Sequence, residues 1–168
     1  MTRTEPPSTP SVLDTTVLSN FAYVDHVDVL AGLAGICTVP VVRTELQRGV
    51  DSHPYLQSAL DALTAEIPVT TINDAVRSRE TTARATLDAG EAQAFAMADV
   101  HDGRLLTDDG DARSFARDHG VTVVGSVGVL LAAIDAGRID ESTADEWLAT
   151  WIDEISYYVP YRTIAEYR

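Results

Sequence analysis

Ser11-Val12-Leu13-Asp14-Thr15-Thr16-Val17-Leu18 begins as a short, largely apolar run, meets a carboxylate at Asp14 and passes into helical spacing from Thr16. A run this brief, bounded at once by polar residues, reads as a buried strand that turns directly into a helix. The same unit recurs along the chain. Candidate strands at 11–13, 36–39, 68–72, 104–107 and 121–124 alternate with helical patterns at 16–33, 44–65, 74–87, 90–100, 112–118 and 126–136. The second helical pattern is interrupted near His53-Pro54, because proline disfavours helix at the residue before it. Alternation of this kind predicts an α/β fold with a central, mostly parallel sheet of four to five strands. Gly110 and Gly120 bracket the short helix between the last two strands, and Gly137 closes the next one. Beyond it, Ser142-Thr143-Ala144-Asp145 reads as a capping box opening a helix with Trp147, Leu148, Trp151, Ile152 and Ile155 on one face. The expected organisation is a loose tail over 1–10, one α/β domain over 11–137, and a helical extension over 138–168 packed on that domain.

Composition bounds the setting. A chain of 168 residues suits one domain with a real core. It carries 26 acidic and 12 basic residues, net −14, and every basic residue is Arg. An acidic surface without Lys suits a cytosol of molar salt, where the Debye length falls to roughly 3 Å and self-repulsion is screened. The single cysteine, Cys37, permits no internal disulfide and sits in an apolar run as a small hydrophobe. With neither an apolar leader at the N-terminus nor a membrane-length run, the expectation is a soluble cytoplasmic protein without a membrane partner.

Parallel sheets bind ligands at the carboxyl ends of their strands, near the point where strand order reverses. Asp14, Glu45 (after Val39-Pro40-Val41-Val42) and Asp109 each directly follow a strand candidate, and Glu91 stands in the first turn of a helix, where the helix dipole favours a negative side chain. Carboxylates gathered at one edge invite a hard divalent cation. Other acidic chemistries are excluded by what is missing. A haloacid-dehalogenase-like phosphatase needs a second Asp two residues after the first, where this chain has Thr16; that class and the receiver domains also need a Lys. No Gly-Lys-Ser/Thr is present for a phosphate loop, and four scattered histidines with one cysteine make no zinc site.

The flanking residues carry a family resemblance. Val12-Leu13-Asp14-Thr15-Thr16-Val17-Leu18 resembles the opening motif of PIN-domain nucleases. Thr44-Glu45-Leu46 is similar to the second motif, Gly90-Glu91-Ala92-Gln93-Ala94 to the third, and Leu105-Leu106-Thr107-Asp108-Asp109-Gly110-Asp111-Ala112-Arg113 to the fourth. Residues 120–131 resemble the segment that closes many prokaryotic members, and the likeness covers about 11–137. It implies a three-layer α/β/α PIN-like domain acting as a metal-dependent endoribonuclease of the VapC-like toxin branch, with Mg2+ or Mn2+ as cofactor. By the same resemblance, Asp14, Glu45, Glu91 and Asp109 are the catalytic and metal-ligating quartet. Asp111 is a candidate fifth acid, and Thr16 and Thr107 hydrogen-bond a carboxylate or a water on the ion. Asp108 and Asp109 compete for the fourth position; the family's Thr, any residue, Asp pattern favours Asp109. Glu91 departs from members with Asp at the third position. The implied partners are RNA, a cognate antitoxin and a second copy of the chain.

A phosphodiester repels its nucleophile, and in-line attack adds charge at phosphoryl and leaving oxygens, which is why an acid-held cation suits the chemistry. The rival reading is a binding or assembly module without turnover, or an RNA-processing nuclease that is not a toxin. Trp147, Trp151, Tyr157, Tyr158 and Tyr161 would then mark a partner surface, and Arg77, Arg79 and Arg84 an RNA track.

Overall fold

A computed structural model describes residues 5–168. In chain order it contains β1 (Ser11–Leu13), α1 (Thr15–Tyr23), α2 (Val27–Ala31), β2 (Ile36–Cys37), α3 (Pro40–Gly49), α4 (Gln57–Ala65) and α5 (Asp74–Ala83). There follow α6 (Ala89–Val100), β3 (Arg104–Leu106), α7 (Gly110–Asp118), β4 (Thr122–Val124), α8 (Ser126–Asp135) and α9 (Glu141–Glu154). The chain falls into two compact units that divide between Gly125 and Ser126.

The first unit holds the four-stranded sheet, ordered β2-β1-β3-β4 with every pairing parallel. With its helical crossovers this is the expected three-layer α/β/α architecture. Short strands suffice because they are buried from both faces: Val12, Leu13, Leu105 and Leu106 are all in the core. α6 is the central helix. From Ala92 to Ala98 every residue is buried, the pattern of a helix enclosed on all sides, and small Ala side chains let neighbouring elements approach it closely.

Several boundaries differ from the sequence reading. The helix expected over 16–33 breaks into α1 and α2, with Asp25 in the left-handed region at φ 60°. The run Val39-Pro40-Val41-Val42 is the start of α3, with Pro40 in its first turn. Proline is at home there, because its missing N–H is one the first turn leaves unpaired anyway. Residues 68–72 form no sheet strand and contribute a single bridge, Thr38 to Val69. The Ser142 capping box is absent: α9 begins earlier, capped by Asp140, whose carboxylate accepts from Thr143 N at 2.7 Å. Pro10, in the segment expected to be loose, is buried and its carbonyl accepts from Arg104 N at 2.8 Å; residues 1–4 of that segment lie outside the described ones.

The second unit pairs α8 with α9 and a closing 3-10 turn, Ile164–Tyr167. On α9, Trp147, Leu148 and Trp151 are buried, as the stripe predicts, while Ile152 is only partly so. Among the described residues no helix is long and apolar enough to cross a membrane.

Candidate functional site

The crossover from β1 runs to β2 on one side and the crossover from β3 runs to β4 on the other, so the strand order reverses between β1 and β3. These strands run in register, Leu13 opposite Leu106. The next residue of each, Asp14 and Thr107, therefore sits at the carboxyl edge beside the other. Asp14 N donates to Leu106 O at 3.0 Å, which fixes the backbone there.

Asp14 is 1 % exposed, and both its oxygens are held. Oδ1 accepts from Thr16 Oγ1 at 2.6 Å, Thr16 N at 2.9 Å and Val17 N at 3.4 Å, which makes Asp14 the N-cap of α1. Oδ2 accepts from the Thr107 hydroxyl. Burial pushes the Asp14 carboxyl up to about 7; the Thr107 and Thr16 hydroxyls pull it down, and the negative charge of Asp108 adds to the rise.

Asp108 is fixed next to this cluster. Its N–H donates to Thr16 Oγ1 at 2.9 Å and its Oδ2 accepts from Asn20 Nδ2 at 3.0 Å. A Cβ at Gly125 would meet Asp108 Oδ1 at 2.7 Å and Arg113 Nη1 at 2.8 Å, so a side chain at this position would displace both. Arg113 Nη1 also donates to Thr107 O at 3.0 Å. The sequence reading did not single out Asn20 or Arg113 as part of the site. Their spacing was a usable signal, since Asn20 follows Thr16 by four residues on α1 and Arg113 follows Asp109 by four at the start of α7.

A second group stands at two helix starts. Asp88 caps α6, its Oδ1 accepting from Glu91 N at 2.9 Å while Glu91 Oε1 accepts from Asp88 N at 3.2 Å. Asp109 caps α7 through Ala112 N at 2.9 Å, and its own N–H donates to Thr107 Oγ1 at 3.1 Å. Glu91 and Asp109 share a hydrogen bond between carboxyl groups. Desolvation and then this bond push Glu91 up to about 8, which favours a proton held on the pair.

Glu45 enters from the second turn of α3, not from a strand end. Its Oε1 accepts from the Thr15 hydroxyl and its Oε2 from Gly90 N at 3.1 Å. Asp111 is exposed in the first turn of α7.

The structure thus brings Asp14, Thr16, Thr107 and Asp108 together, places Glu91 against Asp109, and ties Glu45 to the residue before Glu91. Among the described residues no three carboxylate, imidazole or thiol groups stand close enough to hold an ion between them. Like charges account for the pairing, since each acid turns to hydroxyls, amides or a shared proton. The donor set still fits a hard divalent cation. The acids at this edge offer only oxygen, and Mg2+ is characteristically held through one or two carboxylates together with its own waters.

The model of the PIN-domain family DUF3368 matches residues 10–167 of the chain. No curated protein sequence matches it.

Proposed function

We propose, from the premise that the chain belongs to the PIN-domain family, that it is a metal-dependent endoribonuclease and the toxin half of a type II toxin–antitoxin pair. PIN domains are generally nucleases, which makes a nucleic acid the substrate class. One observation carries the finer reading: a buried carboxylate, Asp14, at the strand-order reversal, held at both oxygens with a second carboxylate, Asp108, beside it. Burying an ionisable group is costly, and a site of this kind is where function is expected.

Asp14 with Asp108, and Glu91 with Asp109, would hold Mg2+ or Mn2+, with Glu45 next to the second pair. Bound there, the cation would neutralise charge developing on the phosphate and acidify a water. The chain's own residues prepare the place. Thr16 and Thr107 stop the Asp14 carboxylate from rotating and favour its ionised form against burial. Glu91 holds one proton against Asp109, so cation binding and loss of that proton are linked.

The charge of −14 opposes approach of a polyanion. In molar salt that repulsion is confined to roughly 3 Å, in keeping with a halophilic cytoplasm. Of the three arginines at 77, 79 and 84, Arg79 pairs with Asp99 at 2.7 Å and Arg84 donates to Leu87 O at 3.0 Å. All three are exposed, and Arg77, outside those two contacts, is best suited to an RNA phosphate.

Labelled structured RNAs incubated in molar KCl with Mn2+, Mg2+ or EDTA test the reading against Asp14→Asn. Cleavage that needs both the ion and Asp14 is expected. No cleavage, with no ion-dependent rise in melting temperature, would instead mean a nuclease fold retained for binding.

A further inference from the structure

Glu45 reaches the candidate site by an unusual route. Its carboxylate lies against the backbone of α6 at Gly90, the second residue of that helix. A Cβ at Gly90 would fall 2.3 Å from Glu45 Oε1 and 2.7 Å from its Cδ and Oε2. No side chain fits there without moving the carboxylate. Gly90 has ordinary helical backbone, so its lack of a side chain answers this close approach and no conformational need.

Helix physics explains the attraction. The first amides of a helix have no partner within it, and the helix dipole makes that end positive. Glu45 Oε2 satisfies the Gly90 amide, and Oε1 takes the Thr15 hydroxyl, one residue past Asp14. A single carboxylate therefore fastens α3 to the starts of both α1 and α6. Those two starts also carry Asp14 and Glu91. Each Glu45 oxygen accepts one of these hydrogen bonds and keeps a lone pair for a cation.

We infer that Thr15 and Gly90 are positioning residues that hold the Glu45 carboxylate beside the cation site proposed at Glu91 and Asp109. Resting on the nuclease reading above, this specifies what holds its third acid. Gly90→Ala pushes Glu45 away from α6, and Thr15→Val frees it from α1. Glu45→Asp draws the carboxylate back by one methylene, which makes room for the added methyl.

The test uses the full chain in molar KCl, reading Mn2+ affinity by titration, RNA cleavage as kcat and KM, and folding by thermal melting. Gly90→Ala is expected to weaken Mn2+ binding about tenfold and to lower kcat with KM for RNA little changed, in the range typical of residues supporting a metal ligand. Thr15→Val should act the same way more weakly. The double variant Gly90→Ala/Glu45→Asp should bind Mn2+ more tightly than the product of the two single losses allows. Wild-type affinity in folded Gly90→Ala overturns the inference, as does strict additivity in the folded double variant. Mn2+ binding that shows the rescue without any RNA cleavage supports the positioning and removes only the nuclease reading. Cleavage without the rescue removes only the positioning. A wild type that neither binds Mn2+ nor cleaves removes both.

Discussion

The two carboxylate groups of the first unit solve the same electrostatic problem in opposite ways. At the ends of β1 and β3, Asp14 is sealed from water and stabilised by hydroxyls and amides that donate to it from three residues. At the starts of α6 and α7, Glu91 and Asp109 stay half-exposed and lower their repulsion by sharing a proton. Strand ends supply fixed geometry, because the register of β1 on β3 leaves Asp14 little freedom. Helix starts supply adaptable charge, because a capping carboxylate can exchange an amide partner for another ligand. Under the proposed nuclease reading, the first group would be the anchor for a cation and the second its responsive side.

The largest effect is expected from breaking the anchor. Asp14→Asn should reduce cleavage by roughly a thousandfold, corresponding to several kcal/mol of lost transition-state stabilisation. Stability should move the other way in EDTA. The folded-state pKa of Asp14 is raised from 3.8 to about 7, so the native state binds a proton more tightly than the unfolded chain does. Its contribution to stability is then fully present below about pH 4 and is lost as pH rises through 7. The neutral amide that Asp14→Asn introduces carries no such penalty. The variant should melt above wild type at pH 8, by an advantage that vanishes near pH 4 and is offset by Mn2+ bound to wild type alone. Melting curves in EDTA that keep wild type above Asp14→Asn at pH 8 would refute the anchor side of the comparison.

A smaller loss should separate the two hydroxyls that hold Asp14. Thr107→Val removes the side-chain donor to Oδ2 and also the acceptor of Asp109 N. Leaving a buried acceptor without its partner costs about 1–3 kcal/mol, and cleavage should fall about 10–100-fold. Thr16→Val likewise removes a donor to Oδ1 and the acceptor of Asp108 N, yet Oδ1 keeps the Thr16 and Val17 amides while Oδ2 loses its one side-chain donor in Thr107→Val. Paired melting and cleavage assays should thus rank Thr107→Val as the worse variant. Equal losses would mean that the backbone cap does not hold Asp14.

How much of this was readable beforehand depended on whether the chemistry was local. β1 and β3 were legible because short apolar runs stop at Asp14 and Thr107, and the family's motif spacing led to Asp14, Glu45, Glu91 and Asp109. The context of Glu45 was misread, because Val39-Pro40-Val41-Val42 is as apolar as a strand and only tertiary packing decides that Pro40 opens a helix. Residues 68–72 were read as a strand on β-branched content, which cannot tell a single bridge from a ladder. Asp108 and Asp109 are adjacent, and only the turn between β3 and α7 sends one toward Asp14 and Asn20 and the other toward Glu91. Asn20, Thr15 and Gly90 carry no charge, so composition gave no reason to notice them. Their parts come from contacts with residues distant in sequence.

The smallest effect belongs to Asp111, and it fixes how far the responsive side extends. The side chain is exposed in the first turn of α7, two residues past Asp109. A carboxylate there gains about 0.3–1 kcal/mol from the helix dipole at low ionic strength, and salt screens it. Asp111→Asn should accordingly lower the melting temperature slightly in dilute buffer and not at all in molar KCl, with Mn2+ affinity and cleavage unchanged. Asp109→Asn provides the contrast, since it keeps an oxygen to cap α7 but removes the carboxyl partner of Glu91. If Asp111→Asn instead lost Mn2+ affinity as steeply as Asp109→Asn in molar KCl, dipole screening could not explain it. The cation would then draw α7 inward by its first turn, and the helix-start group would count three carboxylates where the present arrangement pairs two.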